Sequence, residues 1–181
     1  MPRVWFHLIV TTYGSWLPGD PRGFRTWHHK EHVDGDYKSP PPTGFYDDRH
    51  GFSQRKLNDD PTVLSAPHRE IVGLGLRDRL QQLGGRVLAL SVSGCHCHLQ
   101  VELEDCDVRL PLGVAKQHAW YALRAVAWKQ KLWAKRCKVV RIRDRQHQRR
   151  VYRYVLKHRE EGAWVWSELE QQCGNEGTEG T

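Results

Sequence analysis

Residues 86–103 read RVLALSVSGCHCHLQVEL, and the predicted fold is built around this segment. Two apolar runs, RVLALSV and HLQVEL, flank a short Ser-Gly turn, which is typical of an antiparallel hairpin. The CHCH segment stands where the second strand begins. Because side chains alternate between the faces of a strand, we expect His96 and His98 on one face and Cys95 and Cys97 on the other.

This alternation leaves three interpretations of the CHCH segment. A structural zinc site usually has two ligand pairs with finger-like spacing, whereas each strand face here offers a single pair. In the second interpretation, the histidines are incidental features of a half-exposed strand. In the third, His96 and His98 form a His-X-His pair that binds a divalent metal together with a ligand from elsewhere in the chain.

The chain before the hairpin supplies a strand, an insertion and a helix. VWFHLIVTTY, at 4–13, is rich in β-branched and aromatic residues and predicts a buried first strand. Residues 14–64 are rich in Pro, Gly, His and Asp and predict a long loop insertion. A helix is then predicted from Ser65 to the stop at Gly84 and Gly85, with apolar residues at helical spacing.

The chain after the hairpin supplies a helix, a strand and a last helix. Residues 112–131 carry apolar residues without a breaker and predict a helix, and LWAKRCKVVRI, at 132–142, predicts a strand. Asp144 is a suitable N-cap for a final helix that ends at Gly162. GAWVW then predicts a short strand, and the polar residues 167–181 predict a flexible tail.

The elements therefore follow the order β, α, β, β, α, β and a further helix. This order predicts one α+β domain over residues 1–166, a ferredoxin-like βαββαβ sandwich with helices on one face of an antiparallel sheet and a C-terminal tyrosine-bearing helix. RNA-binding domains of the RRM type share this order. The strand HCHLQVEL lacks the aromatic pair on which such domains stack bases.

The charge distribution predicts an anionic partner. Lys and Arg number 28 against 21 Asp and Glu, and residues 116–159 hold fifteen Lys or Arg residues and one acid. Such a block favours nucleic-acid phosphate, because surfaces usually mix the two signs. We expect a cytoplasmic protein with reduced thiols and no membrane partner, because the chain has five cysteines, no signal peptide and no run of about 18 apolar residues.

The predicted last helix, VYRYVLKHRE, carries a tyrosine and a histidine on one face. Tyr154 and His158 are four residues apart and therefore project from the same side, next to Val151 and Val155. By pattern alone, a tyrosine on an amphipathic helix is usually a packing residue, and Tyr152 is expected to pack. The outward surface carries three cations suited to phosphates, namely Arg150, Arg153 and Lys157.

Four segments together resemble the HUH single-tyrosine transposases of the IS200-like class, especially the REP-associated tyrosine transposases. They are TTYGSWLPGDPRG, CHCHLQV, KLWAKR and YRYVLKHREEGAWVW, in the right order. The resemblance implies that His96 and His98 hold a divalent ion, Mg²⁺ or Mn²⁺, with His158 as third ligand and Tyr154 as nucleophile. The family usually has Gln or Asn, or sometimes His, at the third position, and an all-imidazole site favours Mn²⁺ or a softer ion over Mg²⁺. Cys97 takes the central hydrophobic position.

The activity implied by the resemblance is metal-dependent nicking and strand transfer on single-stranded DNA beside a hairpin, through a covalent 5′-phosphotyrosine on Tyr154. The alternative is a domesticated relative of the same fold that binds hairpin DNA or RNA without cutting it. Relatives act as monomers or as homodimers with shared sites, and both states are compatible with the sequence.

The candidate DNA-binding residues are Arg22, Lys116, Arg124, Arg150, Arg153 and Lys157. The tryptophans of the basic block are expected to pack, with base stacking as the alternative: Trp120, Trp128 and Trp133.

Overall fold

A computed structural model of the protein describes residues 2–21, 42–105 and 107–176, with side chains up to residue 172. The strands are β1 (Arg3–Thr12), β2 (Arg86–Val92), β3 (His96–Glu104), β4 (Trp133–Arg141) and β5 (Trp164–Ser167). The helices are α1 (Asp47–Arg55), α2 (Ala66–Gln82), α3 (Arg109–Arg124), α4 (Arg145–Lys157) and α5 (Glu168–Glu176). The predicted α+β class and the order of the predicted elements are confirmed.

The five strands form one antiparallel sheet in the order β4-β1-β3-β2-β5. The central pair, β1 and β3, places Ile9 opposite His98 and Thr11 opposite His96. β5 extends the sheet by pairing with β2. The CHCH histidines therefore lie on an inner strand, whose neighbours on both sides hold its backbone in place.

The two faces of the sheet carry different helices. Apolar residues of β1 and β3, such as Leu8 and Leu99, form the main core with α2 and α3. On the opposite face, Val151 and Val155 of α4 pack against Ala89. The expected arrangement with helices on one face holds for α2 and α3, whereas α4 covers the other face. The reason is its valine pair, which is buried in a small core with Ala89 of β2 and Ile142.

Three segments differ from the sequence prediction. α1 lies inside the residues predicted to be a loop insertion, and its polar composition gave no helical stripe. α3 ends at Arg124 because Ala127 adopts φ 66° and Trp128 N–H donates to Leu123 O, a helix-ending closure that normally uses glycine. The predicted tail contains α5, and Arg159 holds this helix through two hydrogen bonds to Glu170.

No helix in the described ranges combines the length and the apolar composition that crossing a bilayer requires.

Candidate metal and nucleophile site

Three histidine rings meet beside the start of β3. His96 and His98 project from the face of β3 that α4 covers, and His158 caps the C-terminus of α4. Each histidine offers one ring nitrogen, and these three nitrogens lie within 4.8 Å of one another. In the described ranges, this cluster is the candidate metal site. The ring centroids of His98 and His158 are 4.5 Å apart. The sequence predicted this group, and the structure brings it together.

Hydrogen bonds determine which nitrogens of this cluster are available. His158 Nδ1 donates to the backbone oxygen of Tyr154 at 2.9 Å, so Nε2 of this ring keeps its lone pair. His98 Nδ1 shares a hydrogen bond of 3.0 Å with His7 Nε2, and when His98 is the donor its own Nε2 likewise keeps its lone pair. Neutral imidazole nitrogens of this kind are common ligands of divalent first-row metals. The residues present therefore fit a divalent ion.

His7 is a site residue that sequence reasoning missed. It lies on β1, is almost fully buried, and its ring centroid is 5.2 Å from that of His98 and 5.9 Å from that of Tyr154. Strand alternation along VWFHLIV places His7 on the face of the sheet that carries the site. A single histidine in an apolar strand, however, shows no repeated spacing that would identify it as a site residue. Only the pairing of β1 with β3 brings it beside His98.

Burial keeps the rings of His7 and His98 neutral. Desolvation, with the charges of His96, His158 and His7, lowers the pKa of His98 from 6.5 to about 2. Desolvation and the charge of Lys138 are the leading causes that lower the pKa of His7 from 6.5 to about 4. Both rings are therefore uncharged at neutral pH, the protonation state that a metal ligand needs.

Tyr154 lies at the edge of the histidine cluster. Its ring centroid is 5.0 Å from that of His98 and 4.8 Å from that of His158, and its side chain is about half exposed. Partial burial, and then the carboxylate of Glu161, raise the pKa of this phenol. The hydroxyl is therefore protonated at neutral pH, and a cation beside it would favour loss of the proton.

A cleft of about 420 Å³ opens over this cluster. Its lining combines imidazoles, one phenol, one indole, one cation and one carboxylate. These residues include His96, His98, His158, Tyr154, Trp16, Lys157 and Glu161. The cleft is therefore open to solvent beside a candidate nucleophile and a candidate metal site.

The second tyrosine of α4 has a structural contact. Tyr152 packs against the small core under α4, and its hydroxyl is 2.7 Å from Ser167 Oγ. This agrees with the packing role expected from the sequence. The hydroxyl of Tyr152 is thus engaged at β5, whereas Tyr154 faces the cleft.

The predicted DNA-binding cations lie on both faces of the sheet, and those of α4 are on the face that carries the site. Lys157 lines the cleft, and Arg150 lines an adjacent hollow with His7 and Tyr154. Arg153 lines a third hollow with Lys157.

Two of the predicted cations lie on α3, which packs on the other face. The Nζ of Lys116 donates to the backbone oxygen of Ala134 at 2.9 Å, and burial lowers the pKa of Lys116. The guanidinium of Arg124 lies 4.9 Å from the ring centroid of Trp120. Arg22 lies outside the described residues.

Cys97 and three tryptophans of the basic block contribute packing. Cys97 is fully buried in the main core, and desolvation raises its thiol pKa, so it is no thiolate ligand. Cys95 precedes β3, with its sulfur 3.6 Å from His96 Nδ1. Three indoles pack against the main core and donate to backbone oxygens, as the packing interpretation predicts, namely Trp120, Trp128 and Trp133.

Comparison with known proteins adds evidence on the fold. No protein-family model and no curated protein matches this chain. Among solved structures, the chain is similar to a REP-associated tyrosine transposase bound to a REP hairpin, with a TM-score of 0.51 and 11% identity over 88% of this chain and 68% of that one. The two proteins share a fold. A putative transposase from Deinococcus radiodurans R1 aligns with a TM-score of 0.40 and 16% identity, over 87% of this chain and 92% of that one.

Proposed function

We propose that this protein nicks single-stranded DNA and transfers the strand through a covalent 5′-phosphotyrosine on Tyr154. The observation that carries the proposal is the position of Tyr154 beside three convergent imidazoles in one chain. A transposase-like fold agrees with this chemistry. The neighbour's REP hairpin is the basis for proposing hairpin-associated sites as substrates here.

The proposed reaction requires a nucleophile, a polarised phosphate and a leaving group. Tyr154 Oη forms a bond to the scissile phosphorus while the bond from phosphorus to the 3′ oxygen breaks. Tyr154 loses its phenolic proton, and the 3′ oxygen takes up a proton to become a free hydroxyl. A divalent ion on His96, His98 and His158 would act as Lewis acid on the phosphate. The phosphotyrosine bond conserves the energy of the phosphodiester, so a second strand can be joined without ATP.

Cations on α4 are suited to hold the strand over the cleft. Lys157 lies next to Tyr154 in the cleft, and Arg150 borders the hollow on the other side of the phenol ring. We include these two and Arg153 in the proposed DNA path, because all three lie on the helix that presents Tyr154. Lys116 and Arg124 are left out of this path, because their helix packs on the other face of the sheet.

The proposal is tested by trapping the covalent intermediate. The full chain is incubated with a labelled single-stranded hairpin oligonucleotide and Mn²⁺ or Mg²⁺, and the products are separated on a denaturing gel. We expect an adduct that survives SDS, that chelation of the metal prevents, and that Tyr154→Phe abolishes.

The matched control is Tyr152→Phe, which removes a hydroxyl on the same helix and leaves Tyr154 in place. The adduct should persist in this variant, because the Tyr152 hydroxyl bonds Ser167 outside the cleft. An adduct that depends on Tyr152 would contradict the assignment of the nucleophile. Tight hairpin binding without any adduct would favour the alternative, a binding protein that does not cut.

A further inference from the structure

The chain after β1 makes a tight turn over residues 13–20, YGSWLPGD, whose first half is anchored to the segment before α2. Thr12 is fully buried, its Oγ1 donates to the backbone oxygen of Thr62 at 2.7 Å, and it lies 2.8 Å from Ser15 Oγ. Gly14, at φ 74°, lies so close to Pro61 that a Cβ would stand 2.8 Å from the Cα of Pro61. The start of the turn is therefore held by side-chain and backbone contacts.

The second half of the turn is anchored to α1. Ser53 Oγ donates to the backbone oxygen of Pro18 at 2.9 Å. Gly19, at φ 88°, would place a Cβ 2.4 Å from the backbone nitrogen of His50, so only glycine allows this approach. Asp20 is buried, and its N–H donates to Leu17 O at 2.9 Å. The turn is thus held at both ends. The residues between these two ends therefore have a defined position.

Trp16 stands at the centre of this anchored turn. Its backbone has φ 57°, in the left-handed region that bulky residues rarely occupy, and unusual backbone states of this kind cluster at functional sites. The side chain is 39% exposed and lines the cleft with His96, His98 and Tyr154. The turn therefore holds a large apolar ring at the surface of the candidate site.

Trp16 differs from the other tryptophans in the part of the chain that the structure describes. Among them, it is the one with an exposed side chain. Trp120, Trp128 and Trp133 pack against the main core instead. An exposed indole beside a phenol and a cation has the composition of a surface that binds single-stranded nucleic acid, where aromatic rings stack on bases and cations hold the backbone.

We propose that the Trp16 indole is a base-stacking subsite for an unpaired nucleobase next to the phosphate that Tyr154 attacks. This inference rests on the proposed function. It adds a physical basis on which the site distinguishes unpaired DNA from duplex DNA. Stacking needs a base whose face is free, and every base offers such a face. The subsite therefore selects unpaired DNA over duplex and does not read sequence.

The test compares two probes with different bases and the same backbone. One is oligothymidine of about ten nucleotides, and the other is an abasic strand of equal length, both labelled for fluorescence anisotropy in EDTA. The proteins are the full chain, Trp16→Ala and Trp16→Phe. Tyr121→Ala is the matched control, because it removes an exposed aromatic ring from α3, on the far side of the sheet.

We expect Trp16→Ala to weaken binding of oligothymidine about 5- to 100-fold and to leave binding of the abasic strand within about twofold. Trp16→Phe should retain most of the affinity, and Tyr121→Ala should behave like the unaltered chain. Equal losses on both strands would overturn the stacking subsite, since they indicate a disturbed turn. No loss on either strand would also overturn it.

These outcomes are separable from the test of the proposed function. Stacking at Trp16 without any Tyr154 adduct would leave a binding site and overturn the nicking activity. A Tyr154 adduct with no effect of Trp16→Ala would leave the nicking activity and overturn the subsite. Failure of the unaltered chain to bind either strand would overturn the subsite, and the adduct assay would still decide the nicking activity.

Discussion

At the scale of single residues, the candidate site contains a hydrogen bond between two buried histidines, His7 and His98. His7 Nε2 lies 3.0 Å from His98 Nδ1, and a His98 ring that donates in this hydrogen bond presents Nε2 to a metal. Partners of this kind orient metal ligands and are important for affinity. Neither ring is charged at neutral pH, because burial lowers the pKa of both. His7 is therefore a positioning residue for the proposed metal ligand His98.

Replacement of His7 tests this role. His7→Ala leaves Nδ1 of His98 without its partner, and we expect the affinity for Mn²⁺ to fall about 10- to 100-fold. Isothermal titration of the full chain with MnCl₂ measures the change without reference to activity. His147→Ala is the control, because this residue borders the hollow beside His7 and its Nδ1 accepts from the backbone of Arg143. Unchanged affinity in His7→Ala would show that His98 is oriented by other contacts.

The same pair predicts a pH dependence of stability without metal. In the unfolded chain a histidine binds a proton below about pH 6.5, whereas in the fold His7 does so only near pH 4 and His98 near pH 2. The stabilising contribution is therefore complete above about pH 6.5 and is lost as the pH falls towards 4. The free energy of unfolding should drop by about 1.4 kcal/mol per pH unit for each ring.

Urea unfolding at several pH values between 7 and 5 measures this slope. His7→Gln keeps a hydrogen-bonding side chain beside His98 and removes one titrating ring, so its slope should be about half that of the unaltered chain. A stability that does not change with pH over this interval would contradict neutral burial of the pair.

The residue scale also shows how far the sequence predicts the site. Strand alternation separates His96 and His98 from Cys97, and helical spacing joins Tyr154 to His158, because both rules are local. His7 and Trp16 escaped prediction for the opposite reason. The first depends on the register between β1 and β3, and the second on a turn anchored by residues far along the chain.

At the scale of elements, close packing between helices supports the sheet from the face opposite the site. α2 and α3 approach closely at Gly75, where a Cβ would stand 2.9 Å from the backbone Cα of Ala119. The ends of elements were the least predictable feature, as α3 and α5 show. α3 ends at a closure with Ala127 at φ 66°, and α5 is joined to the domain by an ion pair between Arg159 and Glu170. Neither feature leaves a local sequence pattern.

Two glycines give a matched test of this packing. Gly75→Ala should lower the free energy of unfolding by about 1–3 kcal/mol, because the methyl group meets the backbone of α3. Gly113→Ala, on the same helix pair, has open space around its Cβ and should raise it by about 0.5–1 kcal/mol through helix propensity. Urea unfolding measures both. Shifts in the same direction would contradict the described contact between α2 and α3.

At the scale of the whole molecule, the sheet separates the face that packs the main core from the face that carries the candidate site. The histidines, Tyr154 and the cations of α4 lie on one side, and the main core lies on the other. The Lys and Arg residues of the basic block, 116–159, are close together in the sequence. In the fold they do not form a single surface. The α4 part of the block borders the site, while its α3 part makes contacts within the fold.

This division predicts which cations contribute to DNA binding. Each phosphate contact to a single strand adds about 0.7 to the slope of log K against log salt. Arg150→Ala should lower the slope for oligothymidine by about that amount, whereas Arg124→Ala, on α3, should leave it unchanged. Anisotropy titrations over a range of salt concentrations measure both. An equal effect of the two variants would mean that the strand does not follow α4.

Mass spectrometry of the adduct identifies directly the residue that becomes bonded to DNA. The adduct formed with a hairpin oligonucleotide is digested with nuclease and trypsin and analysed by tandem mass spectrometry. Cleavage after Arg150, Arg153 and Lys157 places Tyr152 in the peptide VYR and Tyr154 in YVLK, so the two candidates separate. We predict a 5′-nucleotide on YVLK alone. A nucleotide on VYR, or on any peptide other than YVLK, would contradict the proposed mechanism.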